Sequence, residues 1–277
     1  MINTFSSLYL KQMYETGYKL LEEEYAPKRG IFNVQLHKPT VVQRIELAGR
    51  KSVELSDLYE ELLMSLRNRL YMTGLVQEDE VQLFRKPLCD FEPGRVARKY
   101  RDHPRRMATE MLACMRKPKS KVQWGKYCKG AYDGAVFLSQ FKGAQDFYKF
   151  AKQYNSEIGD RWMLAVNISS QIRGMGTALA CNFLKESGLM RYSKPDTQVI
   201  GLLEEIGLSP DDQYGAFWTM AKIAEAATVT DFAVDKIFWL LATGRWTEHM
   251  DIEQKMDRKR GKELKEHFEA SVRKLQG

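Results

Sequence analysis

The sequence has no apolar run of the roughly 18 residues that a membrane-spanning helix needs, so no membrane partner is expected. Its opening segment, residues 1–25, lacks the basic-then-apolar order of a secretory signal, which makes the cytosol or nucleoid the expected location. Only four cysteines occur, Cys89, Cys114, Cys128 and Cys181, and no two form a C-x-x-C pair. Zinc and iron–sulfur sites need ligands that converge at short, regular spacing, so neither is expected. The thiols read instead as reduced and mostly buried. No internal repeat and no low-complexity tract is present.

What is present suffices for a packed core. The 277 residues are 44% hydrophobic, enough for one large domain or two modest ones. The net charge is +7, and its distribution says more than its size. From Arg85 to Lys129 there are 14 Lys or Arg against 4 Asp or Glu, interleaved with Tyr100, Trp124 and Tyr127. Such a segment suits a phosphate backbone and stacked bases, and equally a solvated basic face with no dedicated partner. The remainder of the chain is slightly negative.

The pattern along the chain is predominantly helical. Residues 1–26 repeat apolar side chains at helical spacing until Pro27 and Gly30 break the run. Residues 31–54 are rich in β-branched residues and predict minor extended segments. Ser56 is a candidate N-cap for a helix bearing Leu58, Leu62, Leu63, Leu66 and Leu70, ended by Gly74. Residues 85–106 read as a basic loop, or a helix framed by loops. Helices are expected over 107–116, 131–141, 143–154, 158–172, 176–187, 196–206, 213–227 and 231–243, with Gly or Pro at most joints. The expected divisions are 1–106, 107–248 and a charged helical tail, 249–277, that packs only loosely.

The informative stretch is 164–206. One helix ends near Ile172, the turn Arg173-Gly174-Met175-Gly176 follows, and a second helix begins near Thr177. Two glycines flanking one apolar residue let the backbone approach a phosphate, and the free N–H groups of the next helix then face it. Met175 would tuck between the helices. About twenty residues on, Lys194-Pro195-Asp196 opens another helix, with Asp196 at or near its N-cap. An aspartate there is usually only a cap, and a lone G-x-G is weak. The conjunction is the stronger signal.

In these residues, Ile172-Arg173-Gly174-Met175-Gly176 and Pro195-Asp196-Thr197-Gln198-Val199, the chain resembles the helix-hairpin-helix DNA glycosylases. The resemblance covers roughly residues 120–245 and implies a mainly α fold of two helical lobes with a cleft, Asp196 at its wall. It implies DNA as the partner, gripped by Arg173, Gly174, Met175, Gly176, Thr177 and Lys194. It implies a target base turned out of the stack, with Asp196 the catalytic carboxylate that stabilises the oxocarbenium-like sugar. Many relatives that also cut the strand place a lysine two residues after the second hairpin glycine, where its amine forms a Schiff base. Ala178 stands there, so a monofunctional enzyme that leaves an abasic site is expected. No cluster or other cofactor is expected, although hairpins of this family often hold a monovalent cation on backbone carbonyls, here near Ile172 and Met175. A monomer is expected.

Candidates for the base pocket are Trp124, Tyr127, Trp162, Phe217 and Trp218, each of which could instead be core. Asp133 and Gln140 could read a base edge, but nothing favours them over other polar residues. Alkylated bases, oxidised purines and bulky hypermodified pyrimidines, in repair or in defence against foreign DNA, all remain open. The rival reading is a non-catalytic DNA-binding protein that uses the hairpin as a phosphate clip, and a helical protein–protein module is a third.

Overall fold

The computed structural model describes residues 5–29, 32–34, 37–68, 76–77, 79–115, 121–208, 210, 212–244 and 258–275. Among them are fourteen α-helices and no strand. The chain runs through α1 (Ser7–Arg29), α2 (Thr40–Leu47), α3 (Leu55–Arg67), α4 (Glu80–Leu83), α5 (Pro93–Tyr100), α6 (Pro104–Ala113) and α7 (Lys121–Leu138). It continues through α8 (Ala144–Lys152), α9 (Ile158–Gln171), α10 (Thr177–Glu186), α11 (Thr197–Glu205), α12 (Gln213–Ala227), α13 (Asp231–Thr243) and α14 (Arg258–Lys274).

The chain divides into two units at places other than those expected. Unit 1 is Met1–Lys38 with Leu189–Gly277, and unit 2 is Pro39–Gly188. The boundary expected at residue 106 falls inside α6, and that at 248 lies outside the described residues, as do Gly30, Leu70 and Gly74. The first unit is therefore built from two stretches far apart in sequence, which no local signal records.

In unit 1, α1 packs on α12, α13 and α14, while α11 packs on α13. Met13, Leu21, Val199, Leu202, Met220, Ile237 and Phe238 form its core. α1 continues past Pro27, which lacks an amide for the helical ladder, and ends at Arg29. The tail is a correction: Phe268 and Val272 of α14 are fully buried in this core, and the Phe268 ring meets Phe238 edge-on at 5.9 Å. Its charges hid one apolar stripe, Leu264, Phe268 and Val272, at four-residue spacing.

In unit 2, α3 packs on both α7 and α10. Leu58, Tyr59, Leu62, Leu63 and Leu66 are buried along it. Its cap is Glu54, whose amide donates to Asp57 Oδ2 at 2.8 Å, and Ser56 lies in the first turn. The extended segments expected over 31–54 do not form among the described residues. Val41 and Ile45 are one helical turn apart and both buried in α2, so the β-branched residues follow a period near four, not two. α7 begins ten residues before the helix expected at 131, because Gly125 and Gly130 sit inside it without breaking it. Between α4 and α5 three consecutive non-glycine residues, Cys89, Asp90 and Phe91, have φ of 53°, 59° and 62°. Each left-handed residue costs about 1 kcal/mol or more, so the turn persists only because its surroundings hold it.

Candidate functional site

The hairpin is formed by α9, the residues Ile172–Gly176 and α10, all within unit 2. The helix ends at Ile172, whose carbonyl accepts the Met175 amide at 3.1 Å. Gly174 takes φ +83°, the left-handed conformation that favours glycine. Ile172 and Met175 are buried and anchor the bend, whereas Gly174 and Gly176 are exposed. Gly176 caps α10 in extended conformation, and its carbonyl accepts the Leu179 and Ala180 amides at 2.9 and 3.0 Å. The amides of Thr177 and Ala178 have no acceptor among the described residues, as expected for the first turn of a helix without a side-chain cap. A helix start of this kind offers N–H groups and a partial positive charge to an anion.

Arg173, expected to contact a phosphate, is paired with Asp133 while its side chain stays 62% exposed. Its guanidinium forms a two-pronged pair with Asp133 of α7, Nε to Oδ2 and Nη2 to Oδ1, both 2.7 Å. The Arg173 amide also donates to Asp133 Oδ2, at 3.0 Å. Hydrogen bonding to Asp133 raises the guanidinium pKa further above its already high value. Asp133 is thereby engaged in bracing the hairpin. The α7 backbone comes equally close: a Cβ on Gly130 would lie 2.6 Å from the Arg173 carbonyl oxygen.

Asp196 and Lys194 belong to unit 1. Asp196 is the N-cap of α11, and its Oδ1 accepts from the Gln198 and Val199 amides at 3.1 Å each. Its Oδ2 lies 3.1 Å from Lys194 Nζ, and the carboxylate side chain is 19% exposed. Lys194 is itself fixed, because its amide donates to Asp235 of α13. Three of roughly four acceptor positions on the carboxylate are thus filled. About one acceptor position remains unfilled.

The pocket candidates are divided between the two units. Trp124 and Tyr127 are 4% and 3% exposed, in the core of unit 2, and cannot offer a face to a base. Trp124 donates Nε1–H to the Ala108 carbonyl at 3.0 Å, Tyr127 donates to the Leu63 carbonyl at 3.3 Å, and the two rings stack at 5.8 Å beside Phe84. Burial raises the Tyr127 pKa well above the usual phenol range. Lys126 and Lys129 are exposed on α7 while Trp124 between the basic residues is buried, so a basic neighbourhood in sequence did not mean an exposed indole. Trp162, on α9 of unit 2, is partly buried. In unit 1, Phe217 is buried, and the adjacent Trp218 is partly exposed with Lys222 Nζ 5.5 Å from its ring centre.

Lys185 and Lys194, the lysines in the segment between the hairpin and Asp196, are each paired with a carboxylate. Lys185 is 4% exposed, with Nζ 3.3 Å from Glu186 Oε1, inside unit 2. Among the described residues no group of three or more His, Cys, Asp or Glu side chains is gathered that could hold a metal ion, and no helix is long and apolar enough to cross a membrane. Asp133, the brace of the hairpin, is the residue whose place in the site the sequence least reveals. Its partner lies forty positions away, and its one local mark is its place in the Gly130–Gly134 stretch of α7. Comparison of the chain with family models, curated proteins and solved structures finds no match in any of the three.

Proposed function

We propose that this chain is a monofunctional DNA glycosylase: it binds a strand at the hairpin, takes a damaged or modified base out of the stack and hydrolyses its N-glycosidic bond. The observation that carries the reading is the hairpin, a Gly-x-Gly bend braced by Asp133 that leaves the Thr177 and Ala178 amides open at the start of α10. Those amides suit a backbone phosphate. Asp196 supplies the second requirement, a fixed carboxylate on a partly exposed side chain to stabilise positive charge on the sugar as the base leaves. Its orientation is set by the two α11 amides and by Lys194, so little reorganisation is needed in the reaction.

The engagement of Asp196 favours one competing reading. A carboxylate holding two amides and an ammonium already has a structural task, and a non-catalytic DNA-binding protein would use the hairpin alone. Asp196→Asn separates the two. Asparagine caps helices about as well as aspartate, so the substitution removes the charge and spares α11. Incubation with a panel of modified duplexes and single strands, with mass spectrometry of liberated bases, is expected to show release by the wild type and none by Asp196→Asn. Binding to the same DNA should persist. Absence of release by the wild type across the panel favours the binding protein.

A further inference from the structure

The left-handed turn Cys89–Phe91 is not used by the reading above, yet it is held with care. The Asp90 amide donates to the Arg85 carbonyl at 2.8 Å, and the Phe91 amide donates to that of Leu88 at 2.9 Å. Just before the turn, the Pro87 carbonyl accepts from both Tyr100 Oη, at 2.7 Å, and Lys99 Nζ, at 3.1 Å. Phe91 is buried beneath the turn, and the Arg85 guanidinium lies 5.2 Å from the centre of its ring. A stretch of backbone in an unfavourable conformation, over-determined in this way, is a place to look for binding.

Beside the turn lies an open cavity of about 600 Å³, lined among others by Arg85, Lys86, Cys89, Asp90, Arg95 and Lys99. That volume is within the range of small-ligand sites, about 300–1,000 Å³. Four of these six side chains are cationic, and their neutralisation is incomplete. Lys99 is paired with Glu110 at 2.8 Å, and the same carboxylate also holds Arg106 at 2.6 Å. Arg95 reaches Asp90 only at 4.0 Å, and its side chain is 59% exposed. Among the described residues, Arg85 and Lys86 are not within ion-pair distance of any carboxylate, and both are exposed. α5 adds to this field, because it buries Pro93, Val96 and Tyr100 and turns its basic residues to solvent. Like charges gathered around a concave wall repel one another and concentrate a positive potential there, which an anion relieves. Arginine in such a wall matches the geometry of phosphate oxygens two at a time.

We infer that the cavity beside the left-handed turn binds phosphate, with Arg85, Lys86 and Arg95 on its oxyanions. The phosphate belongs either to a nucleic-acid strand or to a free phosphorylated small molecule. The inference stands apart from the glycosidase reading, since base release tests Asp196 and phosphate binding tests this turn.

The test uses the full chain and two probes: inorganic pyrophosphate, followed by titration calorimetry, and a short end-labelled single-stranded DNA, followed by fluorescence anisotropy. The variant is Lys86→Gln with Arg95→Gln. A charge-matched control, Lys11→Gln with Lys19→Gln on α1 of the other unit, alters net charge equally. The site variant is expected to weaken at least one probe about tenfold or more, and the control to leave both near wild type. Loss of pyrophosphate binding alone assigns a free phosphorylated ligand, and loss of strand binding assigns a strand. Equal affinities for wild type and site variant, an equal loss in the control, or no binding of either probe by the wild type each overturn the inference. If the double variant fails to fold, Lys86→Gln and Arg95→Gln singly carry the same comparison, both side chains being exposed.

Discussion

Asp133 holds Arg173 three times over: once through the Arg173 amide and twice through its guanidinium, at 3.0, 2.7 and 2.7 Å. The carboxylate is 13% exposed and the guanidinium side chain 62%, so the pair is anchored on the α7 side and open on the other. One charge on α7 thereby fixes where the hairpin leaves α9.

Replacing that carboxylate is expected to loosen the bend without unfolding the unit. Asp133→Asn keeps the shape and loses the charge-assisted bonds, which in this half-exposed setting are worth about 1 kcal/mol. Hydrogen exchange should quicken at the Arg173 and Met175 amides while the α3 amides keep their protection. Unchanged exchange at the bend would mean that the pair contributes nothing to its order.

Gly130 gives a sharper test of the same contact. Alanine in a helix interior ordinarily gains about 0.5–1 kcal/mol over glycine. Here its Cβ would meet the Arg173 carbonyl oxygen at 2.6 Å, and also Leu66 Cδ2 at 3.1 Å. The first of these atoms is backbone and cannot swing aside. The clash should outweigh the helical gain, with Gly130→Ala net destabilising by about 1–3 kcal/mol. Chemical denaturation would read this as a lower midpoint at unchanged slope, and an unchanged or higher midpoint would refute it.

The capping role of Asp196 predicts a graded series. Asp196→Ala removes the acceptor for the Gln198 and Val199 amides and should cost about 1 kcal/mol, whereas Asp196→Asn should cost little. If both substitutions abolish base release while only alanine lowers the melting temperature, the charge and the cap are separate properties of one side chain. Equal destabilisation by both would instead assign the stability to the ion pair with Lys194.

Borohydride is expected to trap no covalent adduct between this protein and DNA. The position two residues beyond the second hairpin glycine is Ala178, Lys185 is buried against Glu186, and Lys194 is paired with Asp196. Trapping that survives Asp196→Asn and vanishes on substitution of Lys194 or Lys185 would show a lyase.

Glu61 makes stability depend on pH. Burial raises its pKa from 4.5 to about 7, against the opposing pull of Arg44, whose Nη1 is 3.0 Å from Glu61 Oε2. The folded form then holds a proton that the unfolded chain has released, so this contribution is complete below the unfolded pKa and is lost as pH rises through about 7. Glu110 acts in the other direction and elsewhere: hydrogen bonds from Lys99 and Tyr100 hold it down near 2, so its contribution fades only as pH falls below the ordinary carboxylate range. Between pH 5 and 7.5, therefore, Glu61→Gln should flatten the decline in melting temperature seen in the wild type. A decline of equal slope in both proteins would remove Glu61 as its source.

Much of the helical order is legible from residue spacing alone, because helix starts and stops are local. α9, α10, α12 and α13 lie within about a residue of where apolar period, Gly and Pro place them. So does the bend at Gly174, since few residues other than glycine accept φ +83° there, and so does Asp196 as a cap, whose partners are two and three positions on.

What only the tertiary structure decided depends on contacts between distant positions. Trp124 sits among lysines in sequence and is buried all the same, because Phe84, forty residues earlier, supplies the surface it packs on. Sequence shows Arg173 in the hairpin but not its partner: Asp133 is brought beside it by the packing of α7, whose glycine at 130 admits the hairpin backbone. Cys89, Asp90 and Phe91 carry no glycine to announce a left-handed turn, so only the bonds to Arg85, Leu88 and Pro87 reveal it. Local conformational preference is written residue by residue, whereas which charges stay free and which rings stay exposed is settled only when the helices pack.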